Sequence, residues 1–101
     1  MVFNIVSSPR ENLTPQQILD LANIYLENAS KAQDPGIAIE LCHDTEVALS
    51  QAKKSFKRSK DTNQDVLHGI ATAYMELAIE LDKRGCSSEA QESLIKAKKG
   101  G

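Results

Sequence analysis

From Thr62 to Lys99 the apolar positions read as helix, tight turn, helix. Leu67, Ile70, Ala71, Tyr74, Leu77, Ala78 and Leu81 recur at intervals of three and four, which only a 3.6-residue period gathers on one face. Lys83-Arg84-Gly85 closes this helix with cations in the last turn and a glycine suited to the left-handed position after a helix end. Cys86 then folds back on that end, Ser87 or Ser88 caps the next helix, and Ala90, Leu94 and Ala97 mark its inward face. One apolar face cannot be buried alone, so the short turn predicts an antiparallel partner.

The first half carries the same punctuation. Leu13-Thr14-Pro15-Gln16-Gln17-Ile18 combines Thr14 as cap, proline at the first helical position and Gln17 as the reciprocal partner of a capping box, with Leu13 and Ile18 placed to staple it. The inward face predicted for this helix is Ile18, Leu21, Ala22 and Tyr25, with Leu19 and Leu26 off it. Asp34-Pro35 starts a second helix whose stripe is Leu41, Thr45, Ala48, Ala52 and Phe56, flanked by Ile37, Cys42 and Leu49. Thr62 is the expected cap of the third helix. Four antiparallel helices near 15–31, 35–58, 63–84 and 87–99 follow, preceded by an arm over residues 1–13 whose Val2, Phe3, Ile5 and Val6 lean towards packing. The fold class is all-α, as antiparallel helical hairpins or a generic four-helix bundle, in one domain over residues 14–101.

Helix three laid on helix one repeats a large, large-small, large order: Tyr74-x-x-Leu77-Ala78-x-x-Leu81 against Ile18-x-x-Leu21-Ala22-x-x-Tyr25. Ala90-x-x-x-Leu94 follows the first pattern and Ala38-x-x-x-Cys42 the second. This resembles the tetratricopeptide repeat, with alanine where that family commonly has glycine, although the two matches stand farther apart than its ~34-residue period. The resemblance implies hairpins packed side by side and an inner groove lined by Gln16, Leu19, Asn23 and Leu26 from helix one and by Thr72, Met75, Ile79 and Asp82 from helix three. Such a groove suits an amphipathic helix or an extended peptide with apolar anchors. It lacks the lysines and arginines with which members of that family capture C-terminal carboxylates.

At 101 residues and 11.0 kDa the chain is one domain at most. Few aromatic and β-branched residues leave a core of Leu, Ile and Ala, which suits close helix packing. A net charge of -2 and a pI near 5.6 give no general attraction to nucleic acid or acidic membrane. No stretch reaches the ~20 apolar residues of a membrane span. Cys42 and Cys86 lie outside any pairing motif and are expected to be free thiols, which with the lack of a secretory leader points to the cytoplasm.

Candidate chemistry is thin. His43 could share a helix face with Glu40 or Glu46, short of the three or four ligands a metal needs, and His68 has no local support. Phosphate loops, nucleophile elbows and zinc-protease helices are absent. Glu76, Glu80, Asp82, Asp20 and Glu27 read as solvated helix faces. Lys53, Lys54, Lys57, Arg58 and Lys60 read as complements to a helix C-terminus. The expected function is therefore non-enzymatic and cofactor-free: a protein or peptide binding module, an adaptor. Its rivals are a structural homodimer or scaffold and a truncated repeat array continuing after Gly101.

Overall fold

The computed structural model describes residues 13–59 and 62–100. They form four helices, α1 (Pro15–Lys31), α2 (Pro35–Ser59), α3 (Gln64–Lys83) and α4 (Ser87–Gly100), with no strand among the described residues. The fold is all-α, as the sequence predicts. The expected N-terminal packing of Val2 to Val6 lies outside the described residues, as does Lys60.

Local chemistry sets the helix ends. The Thr14 hydroxyl accepts from the Gln17 amide at 3.1 Å while the Gln17 side chain accepts from the Thr14 amide at 2.9 Å, a complete capping box. Leu13 packs on the core beside it. Asp34 accepts from the Gly36 amide at 2.8 Å and starts α2. The α3 cap is Asn63 rather than Thr62, its side chain accepting from the Asp65 amide at 3.0 Å. At the far end Gly85, with φ 85°, donates to Asp82, and the Cys86 amide donates to Leu81 at 2.9 Å. These are the paired bonds of a Schellman turn, which ask for a residue free to adopt positive φ. Cys86, not a serine, holds the cap position of α4, its carbonyl accepting from the Ala90 amide at 2.9 Å.

Two hairpins result, α1 against α2 and α3 against α4, and α3 also packs on both α2 and α1. Contacts rise together along α1 and α3, from Leu19 with Gly69 to Ala29 with Arg84, so these helices run parallel. The pairs His43–Glu89 and Glu46–Lys96 likewise make α2 and α4 parallel. Hence α1 and α3 lie in one layer and α2 and α4 in the other, a flattened molecule of 38 × 34 × 18 Å.

Burial widens the predicted faces where a helix has several neighbours. Tyr74, Ile70, Leu77, Ala78 and Leu81 are buried as expected, and Val66, Ala73 and Glu80 join them because α3 touches all three other helices. Leu19 and Leu26, expected off the α1 core face, are buried; α3 lies on that side. Gly69 makes the approach close, since a Cβ there would stand 2.7 Å from Leu19 Cδ2. Leu21 and Tyr25, expected inside, are half-buried on the free edge of the first hairpin. Ile37 and Leu94 are exposed, against expectation, on the two outer edges of the molecule.

Candidate functional site

Between α1 and α3 runs a groove of about 690 Å³. From α1 it takes Asn23, Leu26, Glu27 and Ser30; from α3 it takes His68, Gly69, Thr72, Ala73, Glu76 and Glu80. Leu26 and Ala73 are the buried, apolar floor, and the polar side chains form the walls. On α1, Asn23 and Ser30 are seven residues apart and therefore on one stripe, which Gln16 extends towards the helix start. Gln16 itself donates to Asp20 at 2.8 Å.

The eight residues expected to share a groove divide. Asn23, Leu26 and Thr72 line it together, and Leu19 lies beneath it, covered at Gly69. Met75, Ile79 and Asp82 do not join them. At 100° per residue this set is centred roughly 90° round α3 from Thr72, Glu76 and Glu80. Ile79 and Asp82 instead line a smaller hollow of about 360 Å³ with Ala78 and, from α4, Ala90, Gln91 and Leu94. Met75 and Ile79 are 47% and 59% exposed on that side. Glu27, Ser30, His68 and Glu76 are groove residues that sequence reasoning missed, because a polar residue on an outer helix face carries the same signal whether it meets solvent or a trough.

Glu80 is the correction with most consequence. Expected on a solvated face, it is 5% exposed and receives the Arg84 Nε at 3.0 Å. Arg84 Nη2 continues to the carbonyl of Ala29 at 3.2 Å and that of Ala32 at 3.4 Å. Carbonyls in the last turn of a helix lack their full set of intrahelical partners; Ala29 accepts from the Ala32 amide at 3.3 Å as well as from Arg84, so one guanidinium both neutralises a buried carboxylate and adds to the capping of the neighbouring hairpin. Glu27, on the opposite wall, pairs with the exposed Lys31 at 3.0 Å.

The remaining chemistry is distributed rather than convergent. His43 meets Glu89 of α4 at 3.0 Å, not Glu40 or Glu46, and Glu46 is held by Lys96. No three of His, Cys, Asp or Glu come together as a metal site among the described residues. Burial, reinforced by the nearby Glu80 carboxylate, pushes the Cys42 thiol up to about 11, which makes it a poor nucleophile. Burial likewise raises the Tyr74 phenol to about 12, with Glu46 adding to it. No described helix is long and apolar enough to cross a membrane. Comparison with protein-family models, curated proteins and solved structures finds no match.

Proposed function

We infer that the protein is a non-catalytic interaction module of tetratricopeptide-like organisation that holds an extended peptide or a partner helix along the α1–α3 groove. The observation that carries this reading is the groove itself: two parallel helices held apart above an apolar floor of Leu26 and Ala73, with hydrogen-bonding groups at Asn23, Ser30 and Thr72 on the walls. An apolar side chain of the partner reaches the floor, and the walls bond its backbone or flanking polar groups. Glu27 and Glu76 favour a lysine or arginine beside that anchor. Leu19 acts as support rather than contact, and Met75, Ile79 and Asp82 fall outside this site. Two unpaired thiols fit a reducing, cytoplasmic setting.

The test uses peptides selected from a displayed random library on the wild-type protein, with affinity read by fluorescence anisotropy. Thr72→Arg fills the groove and Glu76→Ala removes a wall charge; Thr72 is partly exposed and Glu76 exposed, so helix content by circular dichroism should be kept. Tenfold or greater weakening by Thr72→Arg, and a smaller, salt-dependent loss with Glu76→Ala, is expected. Selected peptides that bind both variants as well as wild type, or a selection that yields no binder, would sink the reading.

A further inference from the structure

The two hairpins superpose along the sequence with one offset in each layer. Ile18 and Ala22 of α1 fall on Tyr74 and Ala78 of α3, and Ala38 and Thr45 of α2 fall on Ala90 and Ala97 of α4. Every one of these residues is buried, so the correspondence holds in packing as well as in pattern. It translates the interface between the hairpins onto the two edges that no other described helix covers.

Two polar pairs cross that interface between α2 and α4. His43 meets Glu89, and Glu46 meets Lys96. By the α2-to-α4 offset, His43 corresponds to Ile95 and Glu89 to Ile37, both half exposed on opposite edges of the molecule. Glu46 corresponds to Lys98 and Lys96 to Asp44, both exposed. Each crossing pair thus reappears as a complementary pair, one apolar and one of opposite charge with the signs exchanged. In the other layer Leu19, buried under Gly69, corresponds to Met75, and in α2 the fully buried Cys42 corresponds to Leu94. Apolar side chains therefore stand open where their counterparts are covered by the second hairpin.

The geometry points to head-to-tail self-association: the α3–α4 edge of one copy receives the α1–α2 edge of the next, with Ile95 on Ile37 and Lys98 on Asp44, and Met75 and Leu94 covered as Leu19 and Cys42 are within the chain. The occupant is a second copy because both halves of the translated interface, apolar and charged, are carried by this one molecule. Such an interface is heterologous, so each addition leaves a free edge and association proceeds beyond a pair. It uses neither wall of the α1–α3 groove and stands independently of the peptide-binding reading.

Sedimentation velocity from about 10 µM to about 1 mM, enough to populate a contact of millimolar Kd, should show mass rising through dimer and trimer. Ile37→Glu and Ile95→Glu, both at exposed positions and checked by circular dichroism, should each be monomeric alone. Mixed, they should form a 1:1 dimer that grows no further, because each variant keeps one intact edge. Lys98→Glu should weaken association at least tenfold, and adding Asp44→Lys in the same chain should restore it. A wild-type protein monomeric throughout, a closed dimer that survives Ile37→Glu, or a mixture of the two edge variants that stays monomeric overturns the proposal.

Discussion

Helices α3 and α4 belong to one hairpin and are held in different ways. Tyr74, Ile70, Leu77 and Leu81 bury α3 against its three neighbours. In α4 the buried residues are Ala90, Ser93 and Ala97, all small, while Leu94 and Ile95 face outwards. Small side chains bring α4 close to α3 but remove little apolar area, at about 25 cal/mol per Å². Two polar bridges to α2, His43–Glu89 and Glu46–Lys96, add to its attachment, and both are partly exposed, where such pairs contribute about 0–1 kcal/mol. The same hairpin thus joins the most firmly packed helix of the fold to the least.

The largest effect that could break this contrast is a matched truncation. Leu77→Ala should destabilise the protein by about 2–5 kcal/mol, since it opens a cavity in a fully buried site. Leu94→Ala should stay within about 0.5 kcal/mol. Urea unfolding of both variants measures this directly, and equal midpoints would mean that α4 is as deeply integrated as α3.

Next in size is Arg84→Met, which tests how the end of α3 is tied to the other hairpin. The substitution leaves Glu80 buried with only the exposed Lys83, 3.9 Å away, to offset it, and removes the side-chain bonds to the Ala29 and Ala32 carbonyls. Removing one member of a buried pair costs about 3–5 kcal/mol, and because Arg84 itself is partly open the lower figure applies. The double variant Arg84→Met with Glu80→Leu should recover much of that loss. Failure to recover would show that the capping of α1, rather than the stranded carboxylate, is what Arg84 supplies.

These same residues show what a sequence does and does not announce. Helix starts and stops are local, so Thr14 with Gln17, Asp34 and Gly85 could be read directly; the miss at Asn63 is a choice between two adjacent capping residues. Faces are set by neighbours, and a helix in contact with three others buries positions that a single stripe does not mark. Ala73 lies off the predicted stripe that holds Ala78, yet both are buried, so substituting Leu at either position should overpack the core. Glu80 looked like a surface carboxylate because its partner stands in the next turn and its purpose, the end of α1, is remote in sequence. Asn23, Leu26 and Thr72, which the repeat resemblance assigns to one groove, do line one between α1 and α3, whereas the parting of Met75 and Ile79 from them depends on a rotation of α3 that only packing fixes.

Ser93 sharpens the contrast from the side of α4. Its hydroxyl is buried, with no hydrogen-bond partner among the described residues. Ser93→Ala removes an unsatisfied group and improves helix propensity, so stability should rise by about 1–2 kcal/mol. Hydrogen exchange should place that gain in α4 amides first. A loss of stability instead would mean that the hydroxyl is satisfied in solution and that α4 is better fitted than its small side chains suggest.

The two thiols give the smallest effect and the most local one. Cys42 is fully buried beneath the second hairpin, while Cys86 is half-buried at the α3–α4 turn. If α4 opens before the core does, a thiol reagent should label Cys86 at a rate set by local opening and Cys42 only through global unfolding. Both should titrate as free groups once the chain is unfolded. Alkaline pH adds a sign that can be checked. The folded state holds the Cys42 thiol protonated up to about 11 against an ordinary 9.0, so between those values the unfolded chain has already lost the proton that the native chain keeps. Stability is then fully present below about pH 9 and falls as pH rises towards 11. Cys42→Ala should flatten that fall over pH 9–10, before the Tyr74 phenol, raised from 10.0 to about 12, begins to contribute a similar loss. Equal labelling rates for the two cysteines would place α4 and the core in one cooperative unit and remove the difference between the two helices of this hairpin.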